Sequence, residues 1–365
     1  MTPTSLRISV IIPTRDRASL LRGALDSLGR QTLPRDDYEV VVVDDGSIDA
    51  TERVCGDQSE DLHLRSVRIP PSGIAAAKNL GLFVSRAPIS LFFDDDDVAT
   101  PTLLEAHLQA HERYPDQNVA VLGLTTWASG LDISPVMDYV TGPGAFLFSY
   151  GNLTPRQMLD FTYFWGGRSS CKRSFLATKG IFHQSFRFGC EDIELAYRLS
   201  RFGFRVFYEP TAVSHMVRPV TTLEFCARCE RQGWSQYLFS RLHPDPRIQD
   251  YCEIEGAEER LNAVGDSLDG MVHRVGELEA SLQAEGPPSE GGPGPDQLLR
   301  ELHRLYREVF LGFRARGIVA AARADIGGQE LQQRVDQRQD RPRPDRDEER
   351  MAEPLATGTS RDPTA

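Results

Sequence analysis

The sequence predicts an α/β fold: a doubly wound, mainly parallel sheet flanked by helices, followed by a helical C-terminal extension and a disordered tail. Three observations predict it. β-Branched apolar runs alternate with stretches of helical spacing through residues 1–130, as in parallel sheets covered on both faces. Polar clusters stand at the carboxyl ends of three of those runs: Pro13–Thr14–Arg15, Asp44–Asp45–Gly46–Ser47 and Asp94 to Asp97. Beyond residue 326 the chain is rich in Arg, Asp, Gln and Pro and nearly free of large apolar side chains, so it buries too little surface to offset the entropy of ordering.

The elements follow in order. "RISVIIPT" (7–14) is a near-continuous β-branched run, a first strand. Leu21, Ala24, Leu25 and Leu28 then share one helix face. "YEVVVVDDGS" (38–47) is a second strand ending in a turn, "DATERVCG" begins a short helix, and "LHLRSVRI" (62–69) is a third strand. "GIAAAKNLGLFVSR" (73–86) is Ala-rich and helical, and "PISLFFDDDD" is a fourth strand that runs into four aspartates. In "TPTLLEAHLQAHERY", Thr100 is the expected N-cap and Pro101 the first helical residue. "VAVLGLTTWA" is a fifth strand. Further on, Ile193, Ala196, Leu199 and Phe202 mark a helix face, with Glu194 and Arg198 as an i,i+4 pair and Glu191 and Asp192 at its N-terminus, where the helix dipole favours negative charge. After Thr221 the chain reads as helical. Leu268, Met271, Val275, Leu278 and Leu282 keep a 3–4 spacing suited to helix packing or a small homodimer contact. "EGPPSEGGPGPD" (285–296) reads as a linker, and a last helix carries Leu298, Leu302, Leu305 and Val309. The expected organisation is a domain over 1–220, with halves at 1–130 and 131–220, a helical extension over 221–325, and a disordered tail over 326–365.

Composition narrows the function classes. A net charge of −12 with no basic stripe argues against a nucleic-acid partner. No run approaches ~18 consecutive apolar residues, so no membrane span is expected. The start, "MTPTSLRISVIIPTRDR", lacks a basic segment followed by a long apolar core, so no signal peptide is expected and the cytoplasm is the expected compartment. Cys226 and Cys229 form a lone CxxC on a helical stretch, without the second pair or His spacing of a zinc site, and read as core or surface thiols.

The aspartate run carries the chemistry. Adjacent carboxylates at ~4 Å repel by about 4 kcal/mol at an effective dielectric near 20, so a run at a buried strand end calls for compensating positive charge. A hard divalent cation with oxygen ligands, Mn²⁺ or Mg²⁺, supplies it and binds phosphates in its remaining positions. Ligands of doubly wound sheets bind at strand carboxyl ends, where the three clusters fall. Asp192 is a candidate general base or a simple helix cap, and His215 a candidate metal ligand or a structural histidine.

"SVIIPTRDRASLLRGALDSLGRQTLPRDDYEVVVVDDGSIDAT", "GIAAAKNLG", "FFDDDD" and "GCEDIELAYRLSRFGFRV", in that order, resemble the family 2 glycosyltransferases of the GT-A fold over residues 7–217. The resemblance implies transfer of a sugar, as by a hexosyltransferase, from a nucleotide diphosphate sugar (a UDP-sugar by expectation) with inversion. It places Pro13, Thr14 and Arg15 along the nucleotide pocket, Asp45 on the base, and Lys78, which stands where the family commonly has Arg, near the donor. Asp94 and Asp96 match the family's DxD pair, Asp94 toward the ribose and Asp96 toward the metal, with Asp95 and Asp97 one register away. Asp192 matches the catalytic base, Glu191 would position the acceptor, and His215 falls where many such enzymes have a metal-binding His. Arg168 stands where the family often has Asn in "WGGRSS", so Trp165, Gly167 and Arg168 are expected along the donor or acceptor, with Arg168 on an anionic group. The acceptor is expected to be a saccharide, a peptide or a small natural product. A retaining transferase and a non-catalytic nucleotide-sugar-binding scaffold are the competing readings.

Overall fold

In the computed structural model, residues 6–58, 62–148, 150–283 and 294–339 are described, with side chains to residue 325. The chain forms β1 (Ile8–Thr14), α1 (Ala18–Leu28), β2 (Tyr38–Asp44), α2 (Thr51–Gln58), β3 (Leu64–Arg68), α3 (Ile74–Val84) and β4 (Ile89–Phe92). It continues through β5 (Asp97–Ala99), α4 (Leu103–Arg113), β6 (Val119–Trp127), α5 (Pro135–Thr141), β7 (Met158–Leu159), β8 (Ser169–Lys172), α6 (Arg173–Lys179), α7 (Glu191–Ser200) and β9 (Arg205–Met216). The remaining helices are α8 (Thr222–Leu242), α9 (Pro246–Tyr251), α10 (Ala257–Val264), α11 (Leu268–Gln283) and α12 (Pro295–Gln339).

Among the described residues, nine strands form one sheet in the order β3-β2-β1-β4-β8-β6-β9-β5, with β7 paired to β9. β3, β2, β1 and β4 are parallel, and β2 is buried along its whole length, which explains the unbroken "VVVV". β8 then inserts antiparallel between β4 and β6, so β6 does not continue the parallel half directly. The strand periodicity of "SSCK" is too short to announce this insertion. A second unannounced strand, β5, starts at Asp97 and pairs antiparallel with β9. α4 also starts later than expected. Thr102 takes the N-cap position without a side-chain cap, Thr100 Oγ1 donates to the Val213 carbonyl, and the Pro101 carbonyl accepts from Thr32. Those two residues are engaged by neighbouring segments, so the helix begins beyond them.

Residues 1–321 form one compact unit. Within it, Val136, Met137, Tyr139 and Val140 of α5 share an apolar core with Phe225, Cys226 and Cys229 of α8, Leu268, Val275 and Leu278 of α11, and Leu302, Leu305, Tyr306 and Val309 of α12. The apolar face of α11 is therefore covered inside the chain. Cys226 and Cys229 are buried free thiols in that core, pushed by burial up to about 12 and about 11, and no described His, Cys, Asp or Glu group of three or more is arranged to hold a metal. The Thr221–Glu224 capping box starts α8. α12 extends to Gln339, into the stretch expected to be disordered; "QELQQRVDQRQ" is built from good helix formers, which local propensity favours even without an apolar face. Residues 340–365, and residues 284–293 with most of the expected linker, lie outside the described residues.

A buried polar network joins α4 to β8. Ser170 Oγ lies 2.9 Å from His107 Nδ1 and 2.8 Å from His111 Nε2. Burial holds His107 down at about 3 and His111 well below its ordinary range, so both stay neutral in the folded chain. The unfolded chain takes up protons at these imidazoles near pH 6.5 and the folded chain does not. Their contribution is therefore fully present above pH 6.5 and is lost as pH falls, by about 1.4 kcal/mol per pH unit for each imidazole. Urea titrations between pH 7.5 and 5 should show this slope, and His107→Phe should flatten it; an unchanged slope in that variant would count against the assignment.

Candidate active site

The three strand ends converge as their polarity suggested. Thr14, at the end of β1, donates from Oγ1 to Asp95 Oδ2 at 2.7 Å. At the end of β2, Asp45 accepts the Ser72 N–H at 2.6 Å on one oxygen and the Gly73 N–H at 2.9 Å on the other. Gly73 sits at φ 92°, where a Cβ would also meet the Arg187 backbone at 2.9 Å, so only glycine closes this clamp. Pro13 lies within β1 opposite Val43. Arg15 is half exposed, with its Nε 3.7 Å from Asp16.

The four aspartates have different surroundings. Asp94 receives Arg168 Nη2 at 2.9 Å. Asp95 receives Arg17 Nη1 at 2.8 Å, and the same nitrogen lies 3.3 Å from Asp96 Oδ2. Asp96 also receives Arg218 Nε at 3.2 Å. Asp97 is fully buried, accepts from Ser214 Oγ at 2.8 Å, and leaves Oδ1 without a partner. Burial, against the opposing charge of Arg17, raises Asp95 to about 6; burial, opposed by Arg168, raises Asp97 to about 7. Arg17 and Arg218 were not singled out from the sequence. Arg17 stands two residues beyond Arg15, just past the same polar cluster, a signal that was available; Arg218 reaches Asp96 only through the β5–β9 pairing, which was not.

His215 lies opposite Val98 in the β5–β9 pair, and its Nδ1 is 2.9 Å from Thr126 Oγ1. No hydrogen bond or ion pair among the described residues joins it to the aspartates. Strand alternation sets it apart from Asp97 alone: Ser214 points to Asp97, so His215, one residue on, points to the other face.

The second half of the site is organised by α7. Gly189 and Cys190 both take left-handed backbone, at φ 69° and 62°, and deliver Glu191 and Asp192 to the helix N-terminus. Glu191 Oε1 accepts from Lys78 Nζ at 2.7 Å, with Lys78 1% and Glu191 3% exposed. Lys78, expected near the donor, forms a buried bridge from α3 to α7, and its Nζ lies beside Gly166. Asp192 Oδ2 accepts the Gly166 N–H at 2.7 Å and Oδ1 the Ile193 N–H at 2.8 Å. Burial first, and then the Glu191 charge, raise Asp192 to about 6, against the opposing charge of Lys78.

Gly166 and Gly167 are the joint between the halves. A Cβ on Gly166 would lie 2.5 Å from Lys78 Nζ and 3.1 Å from Asp192 Cβ; one on Gly167 would lie 1.9 Å from Asp94 Oδ2. The absence of side chains lets Asp94, Lys78 and Asp192 approach one short loop. Trp165 beside it donates from Nε1 to the Thr162 carbonyl at 3.0 Å and meets Tyr150 edge-on at 5.1 Å. Phe164 is fully buried against Phe92 and Phe204, so it belongs to the core. Arg168 lies over the Phe148 ring at 4.1 Å and spends Nη2 on Asp94.

Asp94 and Asp96 are oxygen donors of the type a hard cation takes, 31% and 12% exposed at the side chain, and each is paired here with an arginine; two such carboxylates suit a cation that completes its shell with water and phosphate oxygens.

Residues 9–170 match the family model described as Glycosyl transferase family 2. The chain is 32% identical over 219 residues to a validoxylamine A glucosyltransferase of Streptomyces hygroscopicus subsp. jinggangensis, covering 54% of this chain and 52% of the relative. The match thus spans about half the length of that curated relative. The fold is similar to that of a mannosyltransferase from Pyrobaculum calidifontis solved with GDP-Man and Mn²⁺, at TM-score 0.56 and 20% identity, covering 86% of this chain and 87% of the other. It is also similar to S. aureus TarS 1–349 solved with UDP-GlcNAc, at TM-score 0.51 and 15% identity, covering 85% and 90%.

Proposed function

We propose that this chain, which belongs to glycosyl transferase family 2 through residues 9–170, moves a hexose from a nucleoside diphosphate sugar to an acceptor hydroxyl with inversion. The observation that carries this reading is the Gly166–Gly167 joint, which brings the aspartate cluster of the strand ends and the Asp192 carboxylate to one place. The two solved neighbours, in complex with GDP-Man and with UDP-GlcNAc, support a nucleotide-sugar donor, and UDP is the nucleotide we assign.

In this reading the donor nucleotide lies along Pro13, Thr14 and Arg15, against the loop that Asp45 clamps. Asp96 and Asp94 would hold a divalent cation, Mn²⁺ or Mg²⁺, which when bound offsets the charge of the departing diphosphate. Thr14 and Arg17 hold Asp95 beneath them. On the acceptor side, the Gly166 and Ile193 N–H groups orient the Asp192 carboxylate, which takes the proton of the attacking hydroxyl. Glu191, neutralised by Lys78, holds the start of α7 in place. Trp165 borders the same loop and offers a ring edge to the acceptor, a saccharide, a peptide or a small natural product.

A screen of UDP- and GDP-sugars with Mn²⁺ or Mg²⁺, read as nucleoside diphosphate release, tests the assignment. Release should be found with at least one donor and be suppressed by a chelator. With an acceptor in hand, NMR should show the inverted anomer. Silence across all donors would overturn the reading, and a retained anomer would remove Asp192 as base.

A further inference from the structure

α8 lies beyond the residues matched by the family model and carries Arg228 and Arg231. Neither has an ion-pair partner among the described residues. Arg228 Nε is buried without a hydrogen-bond partner, and Arg231 Nε reaches only the Ala227 carbonyl of its own helix, at 3.4 Å. Both guanidiniums lie over the ring of Phe188, at 5.4 Å and 4.0 Å from its centroid, and Ser235 on the same helix donates to the Phe188 carbonyl. Phe188 immediately precedes Gly189 and Cys190, the left-handed pair that delivers Glu191 and Asp192.

Arg228 lies within electrostatic reach of Asp94 and Asp96, and Arg231 within reach of Arg17 and Arg218. Burial pulls Arg228 down, while the charges of Asp94 and Asp96 act to raise it and that of Arg168 to lower it. Arg231 is depressed by burial and then by Arg17 and Arg218, the two arginines that hold Asp96. Arg17, Arg168 and Arg218 are already spent on Asp94, Asp95 and Asp96. Arg228 and Arg231 are positive groups in the same neighbourhood with no carboxylate of their own. A guanidinium held over a ring, with its donors free, suits a multiply charged phosphate, which its planar fork binds bidentately. A guanidinium nitrogen buried without a partner, as Arg228 Nε is, calls for an acceptor, which a ligand would supply; Arg231, more exposed beside it over the same ring, is open to that ligand.

We propose that α8 forms the cationic wall of the donor pocket, with Arg228 and Arg231 binding the diphosphate of the nucleotide sugar and Phe188 holding both in place. The proposal rests on the glycosyltransferase reading above. It makes the helical extension part of the donor site, and it ties donor binding to the segment that leads into Asp192.

Calorimetric titration of the full chain with UDP, GDP, uridine and guanosine, with Mn²⁺ and with chelator, tests it. Arg231→Gln, at an exposed position, and Arg228→Gln should each weaken nucleoside diphosphate binding by about tenfold or more, the loss expected for a charge-assisted contact. Nucleoside binding should stay unchanged, and Arg228→Lys should recover part of the loss. Equal diphosphate affinity in the Gln variants would overturn the proposal and leave the glycosyltransferase reading intact. A parallel loss of nucleoside binding would also overturn it, as a structural effect. Absence of any diphosphate binding by the unaltered chain would instead bring down the glycosyltransferase reading, and this proposal with it.

Discussion

Asp192→Asn should lower the turnover of acceptor by about 10²- to 10⁴-fold, the range for loss of a positioned general base, while leaving the KM for donor little changed. The asymmetry is expected because the proposed function puts Asp192, fixed by Gly166 and Ile193, on the acceptor side and the donor along the strand ends. The amide keeps one oxygen to accept from an N–H but has no basic site for the acceptor proton. The pH dependence follows from the same group. Burial and Glu191 raise Asp192 to about 6, and the base works only when ionised. Activity should therefore rise with pH through a limb near 6 and flatten above it, and that limb should vanish from the residual activity of Asp192→Asn. Steady-state rates from pH 5 to 8, with folding checked by circular dichroism, measure this. An unchanged turnover in Asp192→Asn would end its assignment as the base.

Lys78→Met should destabilise the chain by about 3–5 kcal/mol, because it leaves Glu191 charged, buried and unpaired. The figure reflects the stranded carboxylate more than the worth of the pair itself. Replacing both partners, Lys78→Met with Glu191→Leu, should recover most of the loss, since apolar groups of similar volume often substitute for a buried ion pair without cost. Urea unfolding of the two single variants and the double variant gives the coupling directly. Additive losses would show that the two side chains do not act as a pair. Activity separates a second consequence. Lys78 Nζ occupies the space a side chain on Gly166 would take, and Glu191 adjoins Asp192, so the double variant should refold yet remain impaired in turnover.

The parallel half was legible because its strands are buried on both faces. "SVIIP" and "YEVVVV" allow little but a covered strand, and the polar residues that stop them mark the ligand-binding edge. α7 was legible from its spacing and acidic start as far as Leu199, and Glu194–Arg198 forms at 2.7 Å as the i,i+4 rule requires; Phe202, expected on the same face, falls past the helix end at Ser200 and is exposed. Less legible were elements whose identity depends on distant partners. β5 is three residues long and exists because β9 offers it an edge. β8 reads as a polar stretch, yet it separates β4 from β6 and carries Arg168 to Asp94.

The aspartate run shows the division most sharply. The sequence by itself determined that four carboxylates end a buried strand and therefore need positive charge, since local pattern and electrostatics depend on neighbours along the chain. Only the tertiary structure decided which charge each one meets. Asp94 meets Arg168 of the second half, Asp95 meets Thr14 and Arg17 of the first, Asp96 meets Arg17 and Arg218, and Asp97 turns into the core against Ser214. His215 was set apart from Asp97 by one step of strand alternation, and Arg228 and Arg231 were carried over Phe188 by a helix that follows the last strand. Such side-chain pairings join segments up to 122 positions apart, a distance over which spacing along the chain carries no geometric information.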